Sequence, residues 1–210
     1  HAALKRVLGD HVKQKGSLVD EHKLRFDFSH DESLSDDEIS KIEGLVNQEI
    51  LKNSSVSTKI MDLEEAKNSG AESLFGEKYE DEVRVLSIGE DDFSLELCGG
   101  THISRTGDLG IFIITSQSSV ASGVRRIEAL SGPKAQEYLA NLKNQTIQLQ
   151  KLLNAPAEEI KEKVNKLLKE NKKLKKGGKT AKSATIKSSN AHDIDNFKLV
   201  IEEAESHDIK

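Results

Sequence analysis

Cys98-Gly99-Gly100-Thr101-His102 sets a thiol and an imidazole on either side of a three-residue gap containing two glycines, at the end of the alternating run Ser94-Leu95-Glu96-Leu97. A thiolate and an imidazole are both zinc ligands, and a backbone that doubles back through glycine lets the two reach one ion. Two ligands make only half a site, because a structural or catalytic zinc takes at least three from protein. Cys98 is also the chain's one cysteine. A lone cysteine is commonly a small buried hydrophobe, and a single C-x3-H pair is a much weaker signal than a doubled C-x2-C. By spacing alone, the apolar reading outweighs the metal.

The neighbouring segments reverse that balance. Leu97 to His102, then Arg105-Thr106-Gly107-Asp108-Leu109-Gly110, then Gly123-Val124-Arg125-Arg126-Ile127-Glu128-Ala129 resemble, in order, the editing domain of alanyl-tRNA synthetases. His11-Val12-Lys13-Gln14-Lys15-Gly16-Ser17-Leu18-Val19, Leu24-Arg25-Phe26-Asp27-Phe28-Ser29-His30 and Leu74-Phe75-Gly76-Glu77-Lys78-Tyr79 are similar to the same family. The resemblance covers residues 1–132 and is looser beyond.

It implies that Cys98 and His102 hold Zn²⁺ together with two histidines of a helical H-x3-H motif, where residues four apart share a face. The spacings of His1, His11, His22 and His30 do not provide that motif. His1-Ala2-Ala3-Leu4 resembles the residues that follow it, so the chain is expected to begin just after the motif and to carry an incomplete zinc site. Zn²⁺ either lowers the pKa of a bound water to about 7 or orients the aminoacyl group, and the sequence leaves both roles open. By resemblance, Gln14 lies beside the editing pocket, where its amide would orient water or substrate. Gly16 would let the backbone approach the ligand, and Thr101 would offer a hydroxyl near the metal. Arg125 and Arg126 are the candidates for holding the tRNA acceptor end. Adjacent strand positions face opposite ways, so at most one should reach the pocket while the other meets solvent or a carboxylate such as Glu128. Lys13 and Lys15 are further candidates for phosphate contacts.

The implied chemistry follows from a selection problem. A pocket for alanine cannot exclude the smaller glycine, and serine adds one hydroxyl. Such differences are worth roughly 1–3 kcal/mol, so a second site that hydrolyses the wrong ester is needed. The resemblance implies a parent that attaches alanine to tRNA using ATP, in which this region cleaves Ser-tRNA and Gly-tRNA formed on the alanine-specific tRNA. ATP and Mg²⁺ would belong to a ligase domain of which these residues carry no recognisable segment. A free-standing trans-editing aminoacyl-tRNA hydrolase and a non-catalytic tRNA-binding or dimerisation module are the alternative readings. The 210 residues alone are expected to bind zinc weakly and to be nearly inactive in editing.

Composition sets the boundaries of this reading. Thirty-six acidic against 31 basic residues give a net charge of -5, which argues against a uniformly basic nucleic-acid binder and leaves RNA to a local basic face. One cysteine excludes a disulfide within the chain and suits a reducing compartment. With no signal-like segment and no apolar run of about eighteen residues, the cytoplasm is expected and a membrane is not.

Residues 1–132 read as an α+β domain with a largely antiparallel sheet and packed helices. Ala2, Ala3, Leu4, Val7 and Leu8 before Gly9 suggest a helix end, and Leu24, Phe26 and Phe28 alternate as a strand. Ser35-Asp36-Asp37-Glu38 is a capping box, after which Ile39, Ile42, Val46 and Ile50 share a helical face that should cover a sheet. Strands are expected at 56–61, 83–88, 94–97, 111–116 and 124–130. Residues 133–178 read as a helical hairpin with seams at Leu139, Leu142, Thr146, Leu149, Leu153 and at Ile160, Val164, Leu167, Asn171, Leu174, broken near Pro156. Lys169, Lys172, Lys173, Lys175 and Lys176 close the second helix, where the macrodipole favours cations; a solvated face and an RNA-contacting patch are equal readings. A linker at 179–192 and a strand at 197–201 would open a C-terminal domain at 193–210, which by resemblance contributes to tRNA binding and to a homodimer. That strand is expected to have little sequence left to pair with.

Overall fold

The computed structural model describes residues 1–73, 79–89, 92–180, 191–194 and 197–200. It resolves into two compact units, His1–Gln145 and Thr146–Lys210. The Leu74–Lys78 part of the resembling segments lies outside the described residues.

The first unit is α+β, and its sheets are antiparallel. It contains α1 (Ala2–Leu8), β1 (Gln14–Val19), β2 (Leu24–Ser29), α2 (Asp36–Lys52), β3 (Val56–Asp62), α3 (Leu63–Asn68), β4 (Glu82–Ile88), β5 (Ser94–Leu97), β6 (Phe112–Ala121) and β7 (Val124–Ser131). The strands form two sheets rather than one, ordered β1-β2-β7-β6 and β3-β4-β5. β1 and α3 were not foreseen. Gln14-Lys15-Gly16-Ser17 lacks apolar alternation and is held by pairing with β2, not by its own pattern. α3 is a short helix capped by Asp62, whose side chain accepts from the Glu64 amide at 2.8 Å.

Each sheet has its own core. Phe28, Ile127, Ala129 and Ile114 face Ile42 of α2 and Ala3 and Leu4 of α1, with Ile39 and Val46 packed against them. The helix therefore covers the sheet as its periodicity requires. Its start is the expected capping box: the Glu38 amide donates to Ser35 Oγ at 3.3 Å, while the Ser35 amide donates to the Glu38 carboxylate at 2.8 Å. Around the smaller sheet, Val83, Val85 and Leu97 pack with Ala66 of α3.

The Arg105–Gly110 segment docks on the end of α2. Thr106 is buried and its hydroxyl donates to the Glu49 carbonyl at 2.8 Å while accepting from the Ser54 amide at 2.9 Å. Asn53 closes α2 in the left-handed region at φ 52°, and its side-chain oxygen accepts from Arg105 Nε at 3.1 Å. Gly107 passes so close to it that a Cβ would stand 2.5 Å from that oxygen.

α4 (Gly132–Leu153) starts in the first unit and ends in the second. After Asn154, at φ 47°, and Pro156, α5 (Ile160–Thr180) follows, and only the backbone of its last four residues is described. Both helices form as their spacing requires, yet much of the apolar stripe stays open, with Leu149 45% and Leu174 77% exposed. The strand expected at 197–201 is β9 (Phe197–Val200), and it does have a partner. β8 (Ala191–Ile194) pairs with it antiparallel, Ala191 opposite Val200 and Ile194 opposite Phe197. Ala191-His192-Asp193-Ile194 was read as linker and the start of the tail because four mixed residues carry no strand period of their own. Among the described residues no helix is long and apolar enough to cross a membrane.

Two alanine substitutions should separate space from helix propensity. Gly107→Ala is expected to lose about 1–3 kcal/mol through the clash with Asn53. Gly44→Ala, in mid-α2 with nothing within 4 Å of the new methyl, should gain about 0.5–1 kcal/mol. Urea denaturation of both variants measures the difference.

Candidate functional site

The position of Cys98 is set by the β4–β5 register. Val85 lies opposite Leu97, and the Cys98 amide donates to the Arg84 carbonyl at 3.1 Å, so the ladder runs one residue past β5. Leu97 points into the smaller core; strand alternation therefore turns Cys98 and Glu96 to the opposite face. The chain then folds back until His102 Nε2 is 3.2 Å from Cys98 Sγ. Neither Gly99 nor Gly100 is among the residues with positive φ. The turn is made without a left-handed angle at either glycine, and a side chain at Gly100 would also find room. A Cβ there would lie 3.6 Å from Cys98 Sγ and 3.7 Å from His102 Nε2.

The donor set suits zinc in kind. A tetrahedral zinc holding one thiolate and one imidazole spans about 3.6 Å between sulfur and nitrogen, so the pair needs only a small outward movement. Burial, followed by the nearby Arg84 charge, holds the His102 imidazole below its ordinary pKa, which keeps it neutral and able to ligate near pH 7. In number the set is incomplete: among the described residues no group of three or more His, Cys, Asp or Glu side chains is placed to hold a metal.

His1 meets Glu96, which shares the strand face of Cys98. It precedes α1, with Nδ1 3.6 Å from the Glu96 carboxylate and Nε2 3.3 Å from the Val12 carbonyl. Burial opposes its protonation, but the hydrogen bond and charge of Glu96 outweigh it and raise the His1 pKa. Ser94 Oγ also donates to Glu96, at 2.9 Å. Lys5 pairs with Glu72, which Lys13 reaches at 3.4 Å, and a cleft of about 280 Å³ opens between His1, Lys5, Glu72, Phe93 and Glu96.

Thr101 is exposed on the turn between Cys98 and His102. The other sequence-selected residues stand on the four-stranded sheet, Gln14 and Lys15 on β1 and Arg125 and Arg126 on β7. Gln14 sits at a β-bulge, its Nε2 donating to Ser17 Oγ at 3.1 Å. His11 and His30, from two of the resembling segments, meet through ring nitrogens 2.8 Å apart.

Arg126 does meet a carboxylate, but it is Asp27 and not Glu128. Its Nε and Nη2 donate to the two Asp27 oxygens at 2.7 and 2.8 Å, and Asp27 is only 8% exposed. The β2–β7 register places Asp27 directly opposite Arg126, whereas Glu128 takes Lys23 and the Ser116 hydroxyl. Sequence neighbours along one strand were visible beforehand; the partner across the sheet was not. Arg125, on the other face, donates from Nη2 to Ser33 Oγ at 2.9 Å and to Gln117 Oε1 at 3.3 Å, while its Nε is buried and unpaired. Asp27, Glu96 and Arg84 went unremarked in the sequence, although each is a charged residue on the second face of an apolar strand.

Residues 83–128 match the family model described as the threonyl and alanyl tRNA synthetase second additional domain. An alanine-tRNA ligase of Saccharophagus degradans is 50% identical over 216 aligned residues, covering 100% of this chain and 25% of the relative. One from Ruthia magnifica is 52% identical over 174, covering 83% of this chain and 20% of the relative. The chain thus spans about a quarter of the length of the curated relatives it matches.

The Asp27–Arg126 pair gives an acid-sensitive signature. Above all, Arg126 holds the Asp27 carboxyl below its ordinary value, so the pair's stabilisation is present above an unfolded pKa of about 3.9 and is lost as pH falls through the folded one. Asp27→Asn should cost about 1–3 kcal/mol at neutral pH. The gap from the parent should close as pH falls below about 4 in urea titrations, and a pH-independent gap would contradict this.

Proposed function

Because this chain belongs to the alanyl-tRNA synthetase family, aligning along its whole length with alanine-tRNA ligases, we propose that it is the editing region of such an enzyme. In this reading the whole protein joins alanine to tRNA with ATP and Mg²⁺ in a separate ligase domain, and works in the cytoplasm. This region hydrolyses seryl and glycyl esters on the alanine-specific tRNA. The observation that carries the reading is the convergence of Cys98 Sγ and His102 Nε2 at 3.2 Å, on the strand face turned away from the smaller core.

Cys98 and His102 would hold Zn²⁺, with the remaining ligands supplied from outside these 210 residues. Bound there, zinc supplies Lewis-acid polarisation of an ester carbonyl or of water. The chain's own residues do the rest. His102 presents a neutral nitrogen, Cys98 would offer its sulfur, and the exposed Thr101 hydroxyl can bond the aminoacyl group. The Gln14 amide donates to Ser17 Oγ and would orient water or substrate through its carbonyl oxygen.

For the acceptor end, the two arginines differ in what they would give up. Arg126 is committed to a carboxylate through two charge-assisted bonds, whereas the acceptors of Arg125 are neutral and yield readily to phosphate. Arg125 and Lys15 are therefore assigned to the tRNA, and Arg126 to supporting the sheet that carries them.

In the longer protein that includes the remaining ligands, Cys98→Ala should reduce deacylation of Ser-tRNA and Gly-tRNA to background, with alanine attachment intact. Full hydrolysis by that variant would refute the editing assignment. Arg125→Ala should weaken tRNA binding and lower the salt slope by about one, whereas Arg126→Ala should show itself first in urea stability.

A further inference from the structure

A two-glycine turn is a poor platform for two ligands. Glycine has the most conformational freedom to lose, and Gly99 meets nothing within 4 Å of where a side chain would begin. Both glycines are exposed, so packing does not fix them. Something else must hold the ligand atoms together at 3.2 Å.

Arg84 is placed to do so three times over. Its carbonyl accepts the Cys98 amide at 3.1 Å. Its Nη1 donates to the Gly99 carbonyl at 3.3 Å and to the Gly100 carbonyl at 2.6 Å. One residue of β4 thus grips three consecutive residues of the turn, with main chain and side chain together. The register explains why: with Val85 opposite Leu97, Arg84 stands across from Cys98 and its side chain leaves the same face of the sheet. The guanidinium is rigid and carries its charge permanently, and its Nη1 has two hydrogens, one for each of the two successive carbonyls.

We propose that Arg84 is a positioning residue for the metal site, its guanidinium clamping the Gly99 and Gly100 carbonyls so that Cys98 and His102 converge on one ion. The proposal rests on the zinc reading of that pair. A cation beside a cation site is an electrostatic penalty, so the residue's presence there is explained by the clamp and not by its charge. This gives the clamp a distinctive sign. Removing the charge alone would strengthen binding of a divalent metal; removing the clamp weakens it.

The test uses Arg84→Gln and Arg84→Lys in the chain as it stands, with two readouts. The first needs no metal: amide hydrogen exchange at residues 99–102 should rise several-fold in both variants, while the β3, β4 and β5 amides keep their protection and report an intact sheet. The second is a Co²⁺ titration followed by the thiolate-to-metal charge-transfer band, which reports Cys98 alone because the chain has no other cysteine. Apparent affinity should fall about 10–100-fold in Arg84→Gln, the loss typical when a residue that orients ligands is removed. Arg84→Lys keeps the charge but places it on a shorter, flexible stem without the rigid planar group that fixes Nη1, and should fall as well. Unchanged exchange in Arg84→Gln, tighter Co²⁺ binding by it, or parental behaviour of Arg84→Lys overturns the clamp. Two ligands allow only weak binding, so the zinc reading of Cys98 and His102 fails if neither this chain nor the longer protein with the remaining ligands gives a charge-transfer band, and the exchange data still decide whether Arg84 holds the turn.

Discussion

The register between β4 and β5 is the constraint on which the candidate site depends. Strand side chains alternate, so a slip of one residue would move Cys98 into the smaller core and bring Leu97 out to the site face. That slip is opposed from both sides. Leu97 is 5% exposed among Val83 and Val85, and Glu96, on the same face as Cys98, is engaged by His1 and Ser94. Hydrophobic burial on one face thereby fixes the chemistry on the other, and Arg84 stands across from Cys98 because of the same register.

The larger sheet repeats the arrangement with different residues. β2 buries Phe28 on one face and Asp27 on the other, and β7 answers with Ile127 and Arg126. A carboxylate this far from water is tolerable only when paired and fully bonded, which the two Arg126 bonds accomplish. Gly16 lies across from Asp27 on β1, and a Cβ there would come to 3.6 Å from the carboxylate, so the strand passes close over the pair. The RNA-facing assignment of Arg126 suggested by its place beside Arg125 therefore meets a competing and stronger commitment inside the protein.

Where a signal is local, the sequence announced it. The capping box at Ser35, the apolar face of α2 and the alternation of β2 all reappear in the structure because each is set within a few residues by cap geometry or period. The thiol–imidazole pair was legible for the same reason, four positions spanning one turn. The division into two sheets, the strand character of Gln14–Val19 and the pairing of β8 with β9 were not, since each depends on a partner strand. The same limit explains Glu128 standing in for Asp27: i and i+2 along a strand can be read in order, but a residue 99 positions away cannot. The contribution of the two glycines was likewise misjudged. Neither has a positive φ, and a Cβ at Gly100 would make only ordinary contacts with Sγ and Nε2, so the turn does not depend on glycine's special angles.

Charge is distributed unevenly between the residues that hold the fold and those that flank the candidate site. Lys23 is taken by Glu128, Lys52 by Glu49, Lys5 and Lys13 by Glu72, and Arg126 by Asp27. Arg84 and Arg125 are different, because their donors land on carbonyl, hydroxyl and amide oxygens that carry no net charge. Such contacts fix a guanidinium in place without cancelling its field. Within a chain of net charge -5, β4 and β7 thus each carry a guanidinium held by uncharged acceptors. The neutral acceptors serve two purposes at once. They hold the two guanidiniums in place, which at Arg84 is the clamp itself, and at Arg125 they leave the charge uncancelled.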